Sequence, residues 1–407
     1  MKSFDTFFLM DLETAKRYAV EVLHFFSEDE EIEAEEIGDG NINYVFRVFA
    51  KDGSKSVIIK QADKLLRSSG RPLDIGRTKI EAHILMLEGE LAKEFVPQVY
   101  RYDETMAATS MEDISAYKNL RKELLAGHVY PHIAENITTF LADTLLPTTD
   151  LVLDAEEQQK RVQFYTNPEL CKITEDLVLT EPYYDYKKRN ILTPGTEDFV
   201  EEEVYGNEAL KYEVALLRER FMNYAQSLIH GDLHSGSIFA NEDGLKVLDP
   251  EFAFYGPMGY DIGNVIGNLF FTWANLFFTG EGTEETRATQ AIIAEQIERV
   301  CDLTEQKLSA KYDEIVTFPL YATEAFKSQY LKSVMEDSYG YAGTEIIRRT
   351  IGDSKVMEVN LVTDPAKRIP MDKALVRMGK HLILTRREIK EGKEITDAFR
   401  EILRADR

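Results

Sequence analysis

Apolar and polar positions change rhythm about a quarter of the way along the chain. Before that point the apolar runs are short and β-rich: Ile37, then residues 44–49, then 56–61. Glycines at 38 and 40 and the polar stretch 51–54 separate them, which is the punctuation of antiparallel hairpins. Ile80, Ile84, Leu85 and Leu87 lie on or near one helical face between Gly76 and Gly89. Residues 99–103 and 106–111 then alternate like two further strands. After Asp113 long helical repeats take over, at 134–146, 207–228, 262–278, 287–300 and 372–389. They are interrupted near 230–261, where two short β-like runs, 237–240 and 245–248, flank a polar loop. The pattern predicts an α+β chain of two lobes. A small antiparallel-sheet N-lobe over residues 1–114 is followed by a large helical C-lobe over 115–407.

The most apolar of those repeats, 262–278, raises the question of a membrane span. It is short for one and carries Asn264, Asn268 and Asn275, so a buried core helix is expected. The opening MKSFDTFFLMDLETAKRY sets acids inside its apolar stretch, unlike a signal peptide, and a cytoplasmic location is expected. Charge narrows the partners. With 72 acidic against 48 basic residues the formal net charge is −24, which repels nucleic acid and anionic membranes alike. The same field opposes phosphate ligands, so binding one requires local cations or a metal. Cys171 and Cys301 have no paired spacing and offer neither a disulfide framework nor a zinc site.

The chemistry concentrates in His230-Gly231-Asp232-Leu233-His234-Ser235-Gly236-Ser237, followed by Asp249-Pro250-Glu251. The spacing allows a short hairpin, which would turn Asp232 toward Asp249 and Glu251. Phosphoryl transfer needs such acids: one to orient the attacking hydroxyl and accept its proton, others to hold Mg²⁺ against phosphate oxygens. A solvated acidic turn explains one aspartate, but not three acids bracketing a hairpin. Asp261, opening the next helix, reads as an N-cap or loop-anchoring acid.

A second constellation lies in the first lobe. Gly38, Gly40, Asn41 and Asn43 form a loop between two strands, where positive φ is tolerated and backbone N–H groups can face phosphates. Asn43 stands where a full G-x-G-x-x-G would have its third glycine, so a plain hairpin turn remains open for the loop taken alone. Lys60 ends the next strand. Alone it would be a snorkelling surface residue, but behind this loop and ahead of the Asp232 cluster it reads as a phosphate contact, with Glu81 as its ion-pair partner.

HGDLHSGS resembles the catalytic loop of protein-kinase-like folds, in the form used by aminoglycoside phosphotransferases and choline kinases. The longer run DPEFAFYGPMGYDIG, with HGDLHSGSIF, resembles the methylthioribose kinases of methionine salvage. The resemblance runs through most of the chain, including FYTNPELC and the Arg348 segment, and is weakest at the termini. It implies a two-lobed protein-kinase-like fold, ATP and Mg²⁺ as cofactors, and a homodimer. It also implies transfer to the 1-hydroxyl of 5-methylthioribose, with Asp232 as base and substrate contact. ATP would be held by Gly38, Gly40, Asn41, Asn43, Lys60, Glu81, Asp249, Pro250 and Glu251. Glu112, Asp113 and Ile114, closing the last strand of the lobe, would meet adenine through backbone groups. Asp249 and Glu251 would bind the metal, and Arg348 and Arg349 the acceptor sugar and transferred phosphate. Ser237 replaces the metal-binding Asn of protein kinases, so Glu251 stands as the second acidic ligand. His234 replaces a frequent Lys and, as neutral imidazole, could only donate a hydrogen bond. The family often carries a tryptophan between Lys60 and the following helix; residues 63–77 have none.

Two rivals follow. An aminoglycoside, choline or homoserine kinase keeps the fold, but a cationic acceptor needs facing acids or aromatics, and Arg348-Arg349 would repel it. A nucleotide-binding pseudokinase would lack the base or the metal ligands, and none is missing here.

Overall fold

The computed structural model describes residues 3–37, 43–63, 74–280 and 282–405. The chain forms two compact units. The first comprises residues 1–117 with 246–253, and the second 118–245 with 254–407.

In the first unit a five-stranded antiparallel sheet, in spatial order β1-β2-β3-β5-β4, is built from β1 (Ile32–Glu36), β2 (Tyr44–Ala50), β3 (Ser56–Gln61), β4 (Val99–Asp103) and β5 (Ala108–Glu112). Two helices accompany it, α1 (Leu12–Glu21) and α2 (Arg77–Leu91). Ahead of the sheet lies α1, a helix for which the sequence reading named no element. Asp11 and Thr14 close a reciprocal capping box at its start. The core gathers Tyr18, Phe46, Val48, Val57, Ile59 and Met106. With a period of two, Val57 and Ile59 face that core while Ile58 and Lys60 turn to the opposite face of β3. Gln61 at the strand end is wholly buried and fully used. Its amide donates to the Phe8 and Met106 carbonyls, and its oxygen accepts from Met10 N–H. The loop of Gly38, Gly40 and Asn41, and most of the tryptophan-free stretch 63–77, lie outside the described residues.

The second unit is helical, with short strands that carry the loop chemistry. Its elements are β6 (Lys118–Asn119), α3 (Leu120–Leu125), α4 (Ile133–Leu145), α5 (Ala155–Phe164), α6 (Pro168–Leu177), α7 (Glu197–Val200) and α8 (Glu208–Asn223). Then come β7 (Ser227–Ile229), β8 (Ile238–Ala240), β9 (Leu245–Val247), which leads into 246–253, and β10 (Phe254–Gly256). The chain ends with α9 (Gly259–Thr279), α10 (Glu284–Ile315), α11 (Glu324–Ile351), α12 (Met357–Asn360), α13 (Pro365–Thr385) and α14 (Gly392–Ala405). The fold class, a small antiparallel-sheet unit and a larger helical one, is the one expected.

Three helical readings are corrected. The repeat read over 207–228 stops at Asn223, because residues 227–229 leave the helix to pair antiparallel with β10. The repeat at 287–300 is the middle of a longer helix, α10. The 28-residue α11 has no counterpart among the expected repeats, because its second half is buried on every side and so has no amphipathic period.

Helix α9 is the apolar segment that invited comparison with a membrane span. Among the described residues no helix is long and apolar enough to cross one. Gly259 through Ala274 are buried continuously, and each of the three asparagines donates a hydrogen bond inside the protein. Asn264 donates to Tyr260 O, Asn268 to Asn264 O and Glu345, and Asn275 to Glu358 O. Close packing against α11 is what glycine permits here. A methyl group on Gly263 would sit 2.5 Å from Ser338 O and 2.7 Å from Ala342 N.

Candidate active site

Each unit holds one cluster of the residues singled out in the sequence. In the first, Lys60 closes β3 with its ammonium buried. Its Nζ lies 2.6 Å from Glu81 Oε1 on α2 and 2.5 Å from Asp249 Oδ1. Burial works to lower the Lys60 pKa, but Asp249, Glu81 and Glu251 outweigh it and raise it above the ordinary lysine value, so the charge is retained. Burial likewise raises Glu81, against the pull of Lys60. Asp249 adopts φ +63°, a left-handed conformation that aspartate tolerates better than most side chains.

Glu251 is held by Arg77, whose Nε lies 3.2 Å from Glu251 Oε2 while its terminal nitrogens reach Asn43 Oδ1 and Asp74 O, each at 2.9 Å. The Asn43 side chain therefore serves Arg77. Burial pushes the Glu251 carboxyl up to about 7; Lys60 and Arg77 oppose the rise, and Glu81 and Asp249 add to it. Arg77 was not anticipated from the sequence. Its one signal is position: a cation in the first turn of a helix meets the positive end of the dipole and needs acids to offset it.

Two carboxylates beside an ammonium suit a hard divalent ion. The Asp249 side chain is half-exposed, and burial raises the Glu251 carboxyl, so a bound cation would favour its charged form. Among the described residues no three-residue cluster of His, Cys, Asp or Glu is already assembled to hold a metal. Phosphate oxygens and water would have to complete the set. At the end of β5, Asp113 pairs with Arg47 at 2.6 Å, and Glu112 accepts from Gln98 N–H at 3.0 Å. Both side chains are thus engaged in the fold, and Glu112 N–H is itself taken by Gln98 O at 2.8 Å.

The second cluster forms around the loop after β7. Asp261, in the first turn of α9, accepts from His230 N–H at 2.6 Å and Gly231 N–H at 3.0 Å. It anchors the loop, and Met258 occupies the N-cap. Gly231 takes φ +81° at the bend that delivers Asp232. Ser237 Oγ donates to Asp232 O at 3.0 Å, a loop-closing role. His234 Nδ1 accepts from Gly236 and Ser237 N–H, and its Nε2 lies 3.5 Å from Asp232 Oδ2. Burial lowers the His234 pKa to about 4, so the ring is neutral at pH 7 with its proton on Nε2.

Arg348 and Arg349, adjacent on α11, both reach Asp232 Oδ1, with terminal nitrogens at 3.6 and 3.8 Å. Burial would raise the Asp232 pKa; the charges of His234, Arg349, Arg348 and His230 outweigh it and hold it at about 2. Because His234 is neutral above pH 4, the two guanidiniums keep Asp232 ionised at neutral pH. Neighbours that the sequence had not marked complete the cluster. Glu345 takes the Nε of both arginines. Arg121, on α3, donates to Ser235 Oγ at 3.1 Å and Asn268 Oδ1 at 2.9 Å, and lies 3.5 Å from the buried Glu358. The Arg121 contacts join residues more than a hundred positions apart, where no local pattern announces them.

Comparison with known proteins identifies the family. Residues 33–295 match the phosphotransferase enzyme family. A methylthioribose kinase from Bacillus velezensis is 39% identical over 93% of this chain and 93% of its own. Another from Yersinia pseudotuberculosis is 37% identical, over 87% of this chain and 86% of its own. The chain belongs to the methylthioribose kinase family. Among solved structures, an ethanolamine kinase from Plasmodium vivax is 12% identical, covering 96% of this chain and 86% of its own, with a TM-score of 0.45. In this methylthioribose kinase family member, the stretch matching the broader phosphotransferase family contains Lys60, Glu81, Asp232, Asp249 and Glu251. Glu345, Arg348 and Arg349 lie beyond it.

Proposed function

We propose that this protein transfers the γ-phosphoryl of ATP to the 1-hydroxyl of 5-methylthioribose, giving 5-methylthioribose 1-phosphate and ADP in methionine salvage. The observation that carries the reading is the pair of guanidiniums on one oxygen of Asp232. Two fixed cations beside the base suit a neutral, oxygen-rich acceptor and an incoming phosphoryl group, and repel the ammonium of choline or an aminoglycoside.

In this reading the first unit supplies the nucleotide groups. Backbone atoms at Glu112, Asp113 and Ile114 meet adenine, the loop of Gly38, Gly40 and Asn41 covers the phosphates, and Lys60 contacts them with Glu81 holding its ammonium. Pro250 lies between the two acids that would hold magnesium, Asp249 and Glu251. Magnesium, when bound, would neutralise charge on the phosphates. The second unit supplies the acceptor groups. Asp232 accepts the hydrogen bond of the sugar 1-hydroxyl and orients its oxygen in line with the γ-phosphorus. The new O–P bond forms as the bond to the β–γ bridging oxygen breaks, and the hydroxyl proton passes to the Asp232 carboxylate. A pKa near 2 makes Asp232 a weak base, which a loose transition state tolerates because the proton leaves late; positioning is its larger contribution. Arg348 and Arg349 bind the acceptor and offset charge on the phosphoryl oxygens. The reading extends to a cytoplasmic homodimer.

The test is an ATP-consumption screen across methylthioribose, ribose, choline, homoserine and kanamycin. Selective turnover of methylthioribose is expected. Preference for a cationic acceptor overturns the assignment, and nucleotide binding without turnover of any acceptor favours a pseudokinase.

A further inference from the structure

Two neighbouring residues on an α-helix point about 100° apart, so adjacent arginines do not ordinarily serve one target. Here they do, and Glu345 is the reason. It lies three residues before Arg348 and four before Arg349, the two offsets that straddle its own direction on the helix. Its carboxylate is divided between them: Oε2 accepts from Arg348 Nε, and Oε1 from Arg349 Nε at 3.1 Å. Each arginine gives its Nε edge to Glu345 and keeps terminal nitrogens for Asp232. Asn268 of α9 donates to Glu345 Oε1 at 3.2 Å, and Arg349 has a second anchor in Ser354 Oγ at 3.1 Å.

We infer that Glu345 is a positioning residue of the acceptor site, one that sets the two guanidiniums toward Asp232 without itself touching the substrate. The inference rests on the acceptor reading above. The side chain is 1% exposed, so reach to solvent or ligand does not explain it. Burying a carboxylate for stability alone is a poor exchange against apolar packing. Two arginines and two carboxylates also leave the cluster near neutrality. Burial would raise the Glu345 pKa, but Arg348 and Arg349 hold it at about 2, so it stays charged at every working pH.

A double-mutant cycle tests this, with Glu345→Gln, Arg348→Ala and the double variant, each assayed for methylthioribose and ATP kinetics. Gln keeps the volume but has one acceptor oxygen, so it aligns one arginine and turns an amide N–H₂ toward the other. The expected loss in kcat/KM for the acceptor is about 10- to 100-fold, the range for one charge-assisted hydrogen bond, with the KM for ATP within about twofold of wild type. In the Arg348→Ala background the same change should cost much less. An unimpaired Glu345→Gln enzyme, losses that multiply in full, or an equal rise in the KM for ATP overturns the inference. If Glu345→Gln does not fold, Glu345→Asp, whose carboxylate reaches back less far, is put through the same cycle with the same criteria. Wild type is measured alongside, so failure of the acceptor reading shows as an inactive parent. Failure of the positioning role shows as an active parent with an equally active variant.

Discussion

His234 turns Nε2 toward Asp232 Oδ2 across 3.5 Å while two backbone N–H groups hold its Nδ1. The neutral ring is thereby fixed in one tautomer, a donor facing the carboxylate. Its folded pKa of about 4 lies below the value near 6.5 of an unfolded chain. Between those values the unfolded state takes up a proton that the folded state refuses. Stability that is present above about pH 6.5 is therefore lost as pH falls toward 4. His234→Asn lacks this titration and should lose less stability than wild type over that window. Urea midpoints at pH 7, 5.5 and 4.5 check it; parallel curves for the two proteins would contradict it.

Lys60 and Glu81 form a buried pair, with side chains 9% and 1% exposed. Removing the cation leaves a carboxylate buried without its counter-charge. Lys60→Met should destabilise by about 3–5 kcal/mol, and Lys60→Met with Glu81→Gln should recover part of that. Both should lose turnover, so chemical denaturation separates the structural cost from the catalytic one.

The guanidiniums set the ionisation of Asp232. Replacing Arg348 and Arg349 by Met removes the charges that oppose burial, so the Asp232 pKa should rise. Residual kcat/KM should then show an acid limb above the pH at which wild type shows one. A profile unmoved on the acid side means that the arginines do not act on Asp232.

The contact between α9 and α11 sets where Asn268 meets Glu345. Gly263→Ala drives a methyl group into Ser338 O and Ala342 N. A loss of about 1–3 kcal/mol is expected, typical of overpacking. Gly244→Ala, whose added Cβ comes no nearer than 3.8 Å to any neighbour, serves as the control and should stay within about 0.5 kcal/mol of wild type.

The sequence made the loop chemistry legible because it is local. Asp232 stands five residues before Ser237, whose hydroxyl closes the same loop, and Lys60 lies near the end of a strand visible as a short β-rich run. What stayed hidden depends on distance along the chain or on burial. Arg77 meets Glu251 across 174 positions, and Arg121 meets Ser235 across 114. Half of α11 carries no period because both its faces are covered. The adjacency of Arg348 and Arg349 argued against a shared target until Glu345, one turn earlier, supplied the clamp.

The most direct test of the account is ³¹P NMR of the purified protein with ATP, magnesium and methylthioribose. The account predicts ADP and one new phosphomonoester in equal amounts, coupled to the anomeric proton and labile to mild acid, with Asp232→Asn slower by on the order of 10²–10⁴-fold. Phosphate on another hydroxyl, or an Asp232→Asn variant that turns over like wild type, would contradict it.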